Sequence, residues 1–171
     1  CATLCHLMAR EFELPGHERN ALVRAAFTMN IGMTAEQDKL AEQREKPSSA
    51  QQESIKNHPL HSQDLLEHLH VTDDLWLEVV AQHHLILSER TPLSDLDARD
   101  RLTRILSAID RYAAMISPRK SRPGRSALDS VRALDSVPAL VGPGIDQRAE
   151  VGYAPVRCVG LCPPATLVKL A

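Results

Sequence analysis

The chain is short of aromatic side chains: two Phe, two Tyr and one Trp make up 3% of its 171 residues. Leu and Ala dominate the apolar set, so the core is expected to be aliphatic and helical. Long apolar runs are missing too. Nothing approaches the roughly 18 consecutive apolar residues of a membrane span, and no basic-then-apolar leader opens the chain, so the protein reads as cytoplasmic with no membrane segment. Charge of either sign is nearly balanced, at a net −2. This removes any general pull toward nucleic acid or anionic membrane, and an anionic ligand would have to be met by a local cluster. Hydrophobic residues at 43% and charged residues at 25% argue against disorder. The length suits a single domain with a substantial core. That domain is expected over residues 1–137, with 138–171 as a Pro/Gly-rich connector and C-terminal tail.

Cysteine is sparse and paired in sequence, as Cys1/Cys5 and Cys158/Cys162. Two C-x3-C pairs can be imagined as a zinc site, but Cys1 and Cys5 share a helix-like face instead of a knuckle-like turn. Reduced thiols are the simpler reading.

Helical periodicity runs through most of the chain. Leu4, Leu7, Met8 and Phe12 predict a helix over 1–14, stopped by Pro15-Gly16. A second is predicted over about 17–30, with Leu22, Val23, Ala26, Phe27 and Asn30 near one face and Gly32 at its C-terminus. Residues 34–54 read as a polar loop with a short helix at about 49–56. Pro59 then suits the first turn of a helix ending near residue 69, which puts His58 at the helix mouth. Thr72, Asp73 and Asp74 offer caps for a helix from Leu75 to Leu87. After a turn over 88–95, Leu102, Ile105, Leu106, Ile109, Ala113 and Ile116 stripe the longest helix, predicted over 96–116. Ala-Leu-Asp-Ser-Val occurs at 127–131 and 133–137, which is too few copies for a repeat array and is read as one short helix. Residues 166–170 alternate as a short β-strand would.

Four potential metal ligands gather in the middle of the chain: His58, His83, His84 and Asp110. Imidazole and carboxylate are ordinary ligands of borderline divalent metals. On the helical wheel His83 falls near the centre of the apolar stripe of its helix and is predicted buried, with His84 about 100° round. A lone buried imidazole is more often a hydrogen-bonded core histidine, but the adjacent His84 and the His58-Pro59 pattern favour a pocket. The one dense basic cluster, Arg119, Lys120, Arg122 and Arg125, reads either as a solvated helix end or as an anion clamp.

Several of these segments, in order, resemble one family. Ala25-Ala26-Phe27-Thr28-Met29-Asn30-Ile31-Gly32-Met33 is similar to A-A-L-L-H-D-I-G-K, Ile55-Lys56-Asn57-His58-Pro59 to I-K-x-H-P, and Gln82-His83-His84 to a second histidine pair. Arg104 to Met115 resembles R-I-L-x-V-A-D-x-Y-D-A-L, and Ser117 to Arg122 resembles S-D-R-P-Y-R/K. Gly160 to Leu170 is similar to G-x-Y-P-x-G-T-x-V-x-L. Together they resemble the HD-GYP type of HD-domain phosphohydrolase, which implies an all-α, HD-domain-like helical bundle that hydrolyses cyclic di-GMP with iron, manganese or similar ions. The resemblance implies His58, His83, His84 and Asp110 as metal ligands and Arg119 and Arg122 as contacts to substrate phosphates.

The departures fall on the chemistry. The His-Asp pair that names the family is Met29-Asn30, its lysine is Met33, and no Gly-Tyr-Pro follows His84. Family ligands expected before the first helix would lie upstream of Cys1, so the chain is expected to be a fragment or a shortened version. A multinuclear site needs anionic bridges between repelling dications, and residue 30 supplies none. The expectation is a degenerate domain, inactive on cyclic di-GMP, that serves as a signalling or protein-interaction module with a protein partner. It holds one divalent metal (Fe, Mn or Zn) or none. Two alternatives stand beside it: a phosphohydrolase with a reduced, mononuclear site, and a non-catalytic receptor for cyclic di-GMP or another phosphodiester nucleotide.

Overall fold

A computed structural model describes residues 1–85, 91–121, 123–135, 151 and 154–159. The fold is all-α, with no β-strand among the described residues. The strand expected at 166–170 lies outside them, as do Cys162 and the 160–170 stretch. The helices are α1 (Ala2–Glu11), α2 (Gly16–Thr28), α3 (Thr34–Glu42), α4 (Ser49–His68), α5 (Asp74–Gln82), α6 (Ala98–Ile116), α7 (Ala127–Asp135) and α8 (Ala154–Val159), with 3₁₀ turns at Ile31–Met33 and Leu93–Asp95.

The amphipathic α6 is the central element, beginning at Asp97, whose carboxylate accepts from the Asp100 N–H at 2.8 Å. Its Leu102, Ile105, Leu106 and Ile109 are fully buried against α1, α2 and α5. Burying such side chains stabilises the fold by about 1.5–3 kcal/mol each. Tyr112, one turn further along, enters a second cluster with Ala127, Val131 and Leu134 of α7. The described part of the 138–171 region also joins the fold: Val151 and Ala154 complete the main core, and Arg157 pairs with Glu11 of α1 at 3.2 Å.

Helices α1 and α4 end in the same way. The Leu14 N–H reaches the Ala9 carbonyl and the Glu13 N–H that of Arg10; Val71 and His70 repeat the pattern on Leu66 and Glu67. Glu13 (φ 51°) and His70 (φ 60°) therefore occupy the left-handed position that glycine usually fills in such caps.

Several expectations need correction. Residues 34–42 form α3 instead of a loop. Only Leu40 of this helix is buried, so it carries almost no apolar stripe to be recognised by. The separate helices expected at 49–56 and 59–69 are one helix of 20 residues with Pro59 inside it. It starts early because Ser48 and Gln51 form a capping box, each side chain bonded to the other's backbone N–H. His58 is consequently interior to α4 and only 2% exposed, not at a helix mouth. Phe27, expected on the buried face of α2, is 76% exposed, because Ala21, Leu22, Ala25, Ala26 and Met29 fill that face.

Gly32 does not end a helix either. It sits in the 3₁₀ turn pressed on α4, where a Cβ would stand 2.8 Å from the Ser62 backbone nitrogen and 2.9 Å from His61 Cβ. Ser62 locks this approach, accepting from the Gly32 N–H at 3.0 Å while its hydroxyl donates to the Met29 carbonyl at 2.8 Å.

Candidate metal centre

Helices α4 and α5 pack together and bring His58, His83 and His84 into one cluster. One ring nitrogen from each lies within 4.8 Å of the other two. The ring centroids are 5.0 Å apart for His58 and His83, 4.6 Å for His58 and His84, and 4.4 Å for His83 and His84. His83 is buried, as its place on the wheel predicted. The helix expected to reach Leu87 stops at Gln82, so both His83 and His84 occupy the turn after α5. His83 keeps near-helical backbone angles (φ −62°, ψ −13°), and its ring still lies 4.4 Å from that of His84.

Hydrogen bonds to the backbone fix two of the rings. His58 Nδ1 lies 2.7 Å from the Ile55 carbonyl oxygen, and His83 Nδ1 lies 2.7 Å from that of Val80. A carbonyl oxygen only accepts, so each Nδ1 is the protonated, donating nitrogen. Each Nε2 is then left as a bare lone pair on the neutral ring. These two Nε2 atoms face each other at 3.1 Å in the buried interior. With both Nδ1 protons committed, the facing lone pairs repel unless a cation lies between them. Histidine nitrogens bound to one ion at about 2.0–2.1 Å stand about 2.8–3.4 Å apart at octahedral to tetrahedral angles, so the observed separation fits a shared ion. Backbone carbonyls holding the far nitrogen are the usual support of histidine ligands.

The rings are also held in the uncharged form that a ligand requires. Burial lowers His58 to about 4 and His83 to about 3, against the raising effect of their carbonyl bonds. His84 is lowered by burial as well, although the Asp110 charge pulls it upward. One part of His84 opens to solvent, so the cluster has an accessible side.

Asp110 lies outside the 4.8 Å group. Half-buried on α6, its carboxyl is raised by burial and lowered in turn by His84, the N-terminal amine, Arg119 and Arg111. Its charge acts on His84 without its oxygens joining the group of clustered nitrogens. Met29 and Met33 are both buried, with Asn30 half-buried. The Ser62 bond to Met29 holds this segment one turn of α4 from His58. Arg119, Lys120 and Arg125 are exposed beyond α6, and Arg122 lies outside the described residues. The Lys120 N–H reaches the Ala41 carbonyl at 3.4 Å, and Arg125 lines a concavity of about 410 Å³ with Met115, Pro123 and Gly124.

Among the described residues, no cysteine takes part in this cluster. Cys1, Cys5 and Cys158 are free thiols, and burial pushes Cys5 up to about 12, which keeps it protonated and a poor ligand.

A buried ion pair that no local pattern announces ties α6 to α2. Arg101 of α6 clamps Glu18 of α2 through Nε to Oε2 at 2.9 Å and a terminal nitrogen to Oε1 at 2.7 Å. Its other terminal nitrogen donates to the Leu93 and Leu96 carbonyls at 3.2 and 2.9 Å. A separation of 83 positions along the chain hides the pair from any local pattern.

Comparison with protein-family profiles, with curated proteins and with solved structures finds no match.

Proposed function

We propose that this chain is a degenerate HD-GYP-like helical domain that holds one divalent metal ion through His58, His83 and His84. It works as a signalling or protein-interaction module and does not hydrolyse cyclic di-GMP. The observation that carries the metal reading is the 3.1 Å approach of two Nε2 atoms whose rings have committed their Nδ1 protons to carbonyls. Three neutral imidazoles suit a borderline ion such as zinc, ferrous iron or manganese. They bring no negative charge, and Met29 and Asn30 stand where the resemblance would put an imidazole and a bridging carboxylate. A second dication a few ångströms away would be repelled with nothing to offset it. An ion held from α4 and from the end of α5 would tie the two helices together, so occupancy would be linked to their packing.

The solvent-open part of His84 favours one second reading, a mononuclear phosphohydrolase, because three histidines with an open fourth position also describe catalytic zinc. In that case the ion would supply Lewis acidity and a water of lowered pKa. Incubation of pure protein with cyclic di-GMP and added Fe²⁺, Mn²⁺ or Zn²⁺ separates the two. No turnover is expected with any of the three ions. Metal-dependent hydrolysis that disappears in His83→Ala would remove the module reading and establish the catalytic one.

A further inference from the structure

Two ligand histidines use backbone carbonyls, and each carbonyl has its own reason to be free. Val80 belongs to the last turn of α5, where carbonyls have no helical donor because the helix stops at Gln82. Ile55 is different, since it sits well inside α4, where its carbonyl would ordinarily receive the N–H of the residue four positions on. That residue is Pro59, which has no N–H. The vacant carbonyl is the one that His58 Nδ1 meets at 2.7 Å, and the donor is the residue immediately before the proline.

We infer that Pro59 is a positioning residue for the metal site: by leaving the Ile55 carbonyl without a backbone donor, it gives His58 a partner that orients the ring and turns Nε2 toward His83. A proline within a helix is unfavourable for the helix itself. Its place next to a buried ligand gives that cost a local use. The inference rests on the metal reading above and adds to it a residue that touches no ligand atom. Pro59 is buried, so its ring also packs against neighbours, and the test must separate packing from positioning.

Pro59→Ala restores an N–H that competes for the Ile55 carbonyl. Three measurements compare it with wild type: zinc affinity by competition with a chromophoric chelator, melting temperature of the metal-free protein, and a metal-free crystal structure. The expected result is a zinc affinity about tenfold or more weaker, in the range of lost supporting bonds to ligands. Metal-free melting should be unchanged or higher. His58 Nδ1 should move beyond hydrogen-bond distance of the Ile55 carbonyl, with the restored backbone N–H of the substituted residue in its place. Equal zinc affinity in the two proteins would overturn the role of Pro59 while leaving the metal site standing. A weaker affinity accompanied by lower metal-free melting and an unmoved His58 would assign Pro59 to packing and equally overturn it. Failure of wild type itself to bind zinc, iron or manganese would overturn the metal reading, and this inference with it.

Discussion

Metal-free protein should lose stability steadily as pH falls from about 6.5 toward 4, with a slope approaching about 2.7 kcal/mol per pH unit as two protons become linked to unfolding. In the folded chain, burial holds His58 at about 4 and His83 at about 3, whereas an unfolded histidine takes up its proton near 6.5. Between those values the unfolded chain binds protons that the folded chain refuses. The stabilisation from keeping both rings neutral is therefore complete above about pH 6.5 and is lost on the acid side. Each protonation also opposes the next, because a positive His84 lowers both neighbours.

Two groups run the other way. Asp110, raised by burial, takes up its proton more readily when folded and softens the slope at the acid end. His68 is raised by its bond to the Asp64 carbonyl, but it is exposed and its effect is small. Urea midpoints of chelator-treated protein at pH 7.5, 6.5, 5.5 and 4.5 would reveal the slope. A flat profile between pH 7 and 5 would mean that the imidazoles are solvated and the pocket is not closed.

The second large effect concerns Glu18. Replacing it by alanine should destabilise the fold by about 3–5 kcal/mol, because the Arg101 guanidinium would stay largely enclosed without its carboxylate. Glu18 is only 3% exposed, and the pair is bidentate, unlike the exposed pairs such as Arg24–Asp73 at 3.5 Å, where about 0–1 kcal/mol is expected. Removing both partners as Glu18→Met with Arg101→Met should recover part of the loss. Recovery should be incomplete, since the Leu96 carbonyl loses its guanidinium donor at 2.9 Å. Denaturant unfolding of the two variants decides this, and a cost below about 0.5 kcal/mol for Glu18→Ala would place the pair in effective contact with water.

Which parts of this arrangement could be read from the residues follows from what local patterns encode. The stripes of α1 and α6 are apolar and regular, so both helices were legible to within a few residues, and the burial of His83 followed from its place among Leu75, Val79 and Val80. Helix α3 was not legible, because a polar helix held mainly by Leu40 has the composition of a loop. Pro59 misled for a specific reason: proline is common in a first helical turn, and only the capping box at Ser48 and Gln51 shows that α4 began ten residues earlier. The three histidines were gathered correctly from sequence. Asp110 was grouped with them, yet its position on the flank of α6 keeps it a step outside, a matter of helix packing distance that spacing along the chain does not carry. The Glu18–Arg101 clamp was invisible for the same reason.

The central claim is that three imidazoles form one metal site, and elemental analysis of anaerobically purified protein by plasma mass spectrometry tests it most directly. The account predicts about one equivalent of zinc, iron or manganese per chain in wild type, lost in His83→Ala, as expected for a site with too few ligands to spare one. Wild-type protein free of all three metals after supplementation, or an unchanged metal content in His83→Ala, would contradict it and return the histidines to the role of packed core residues.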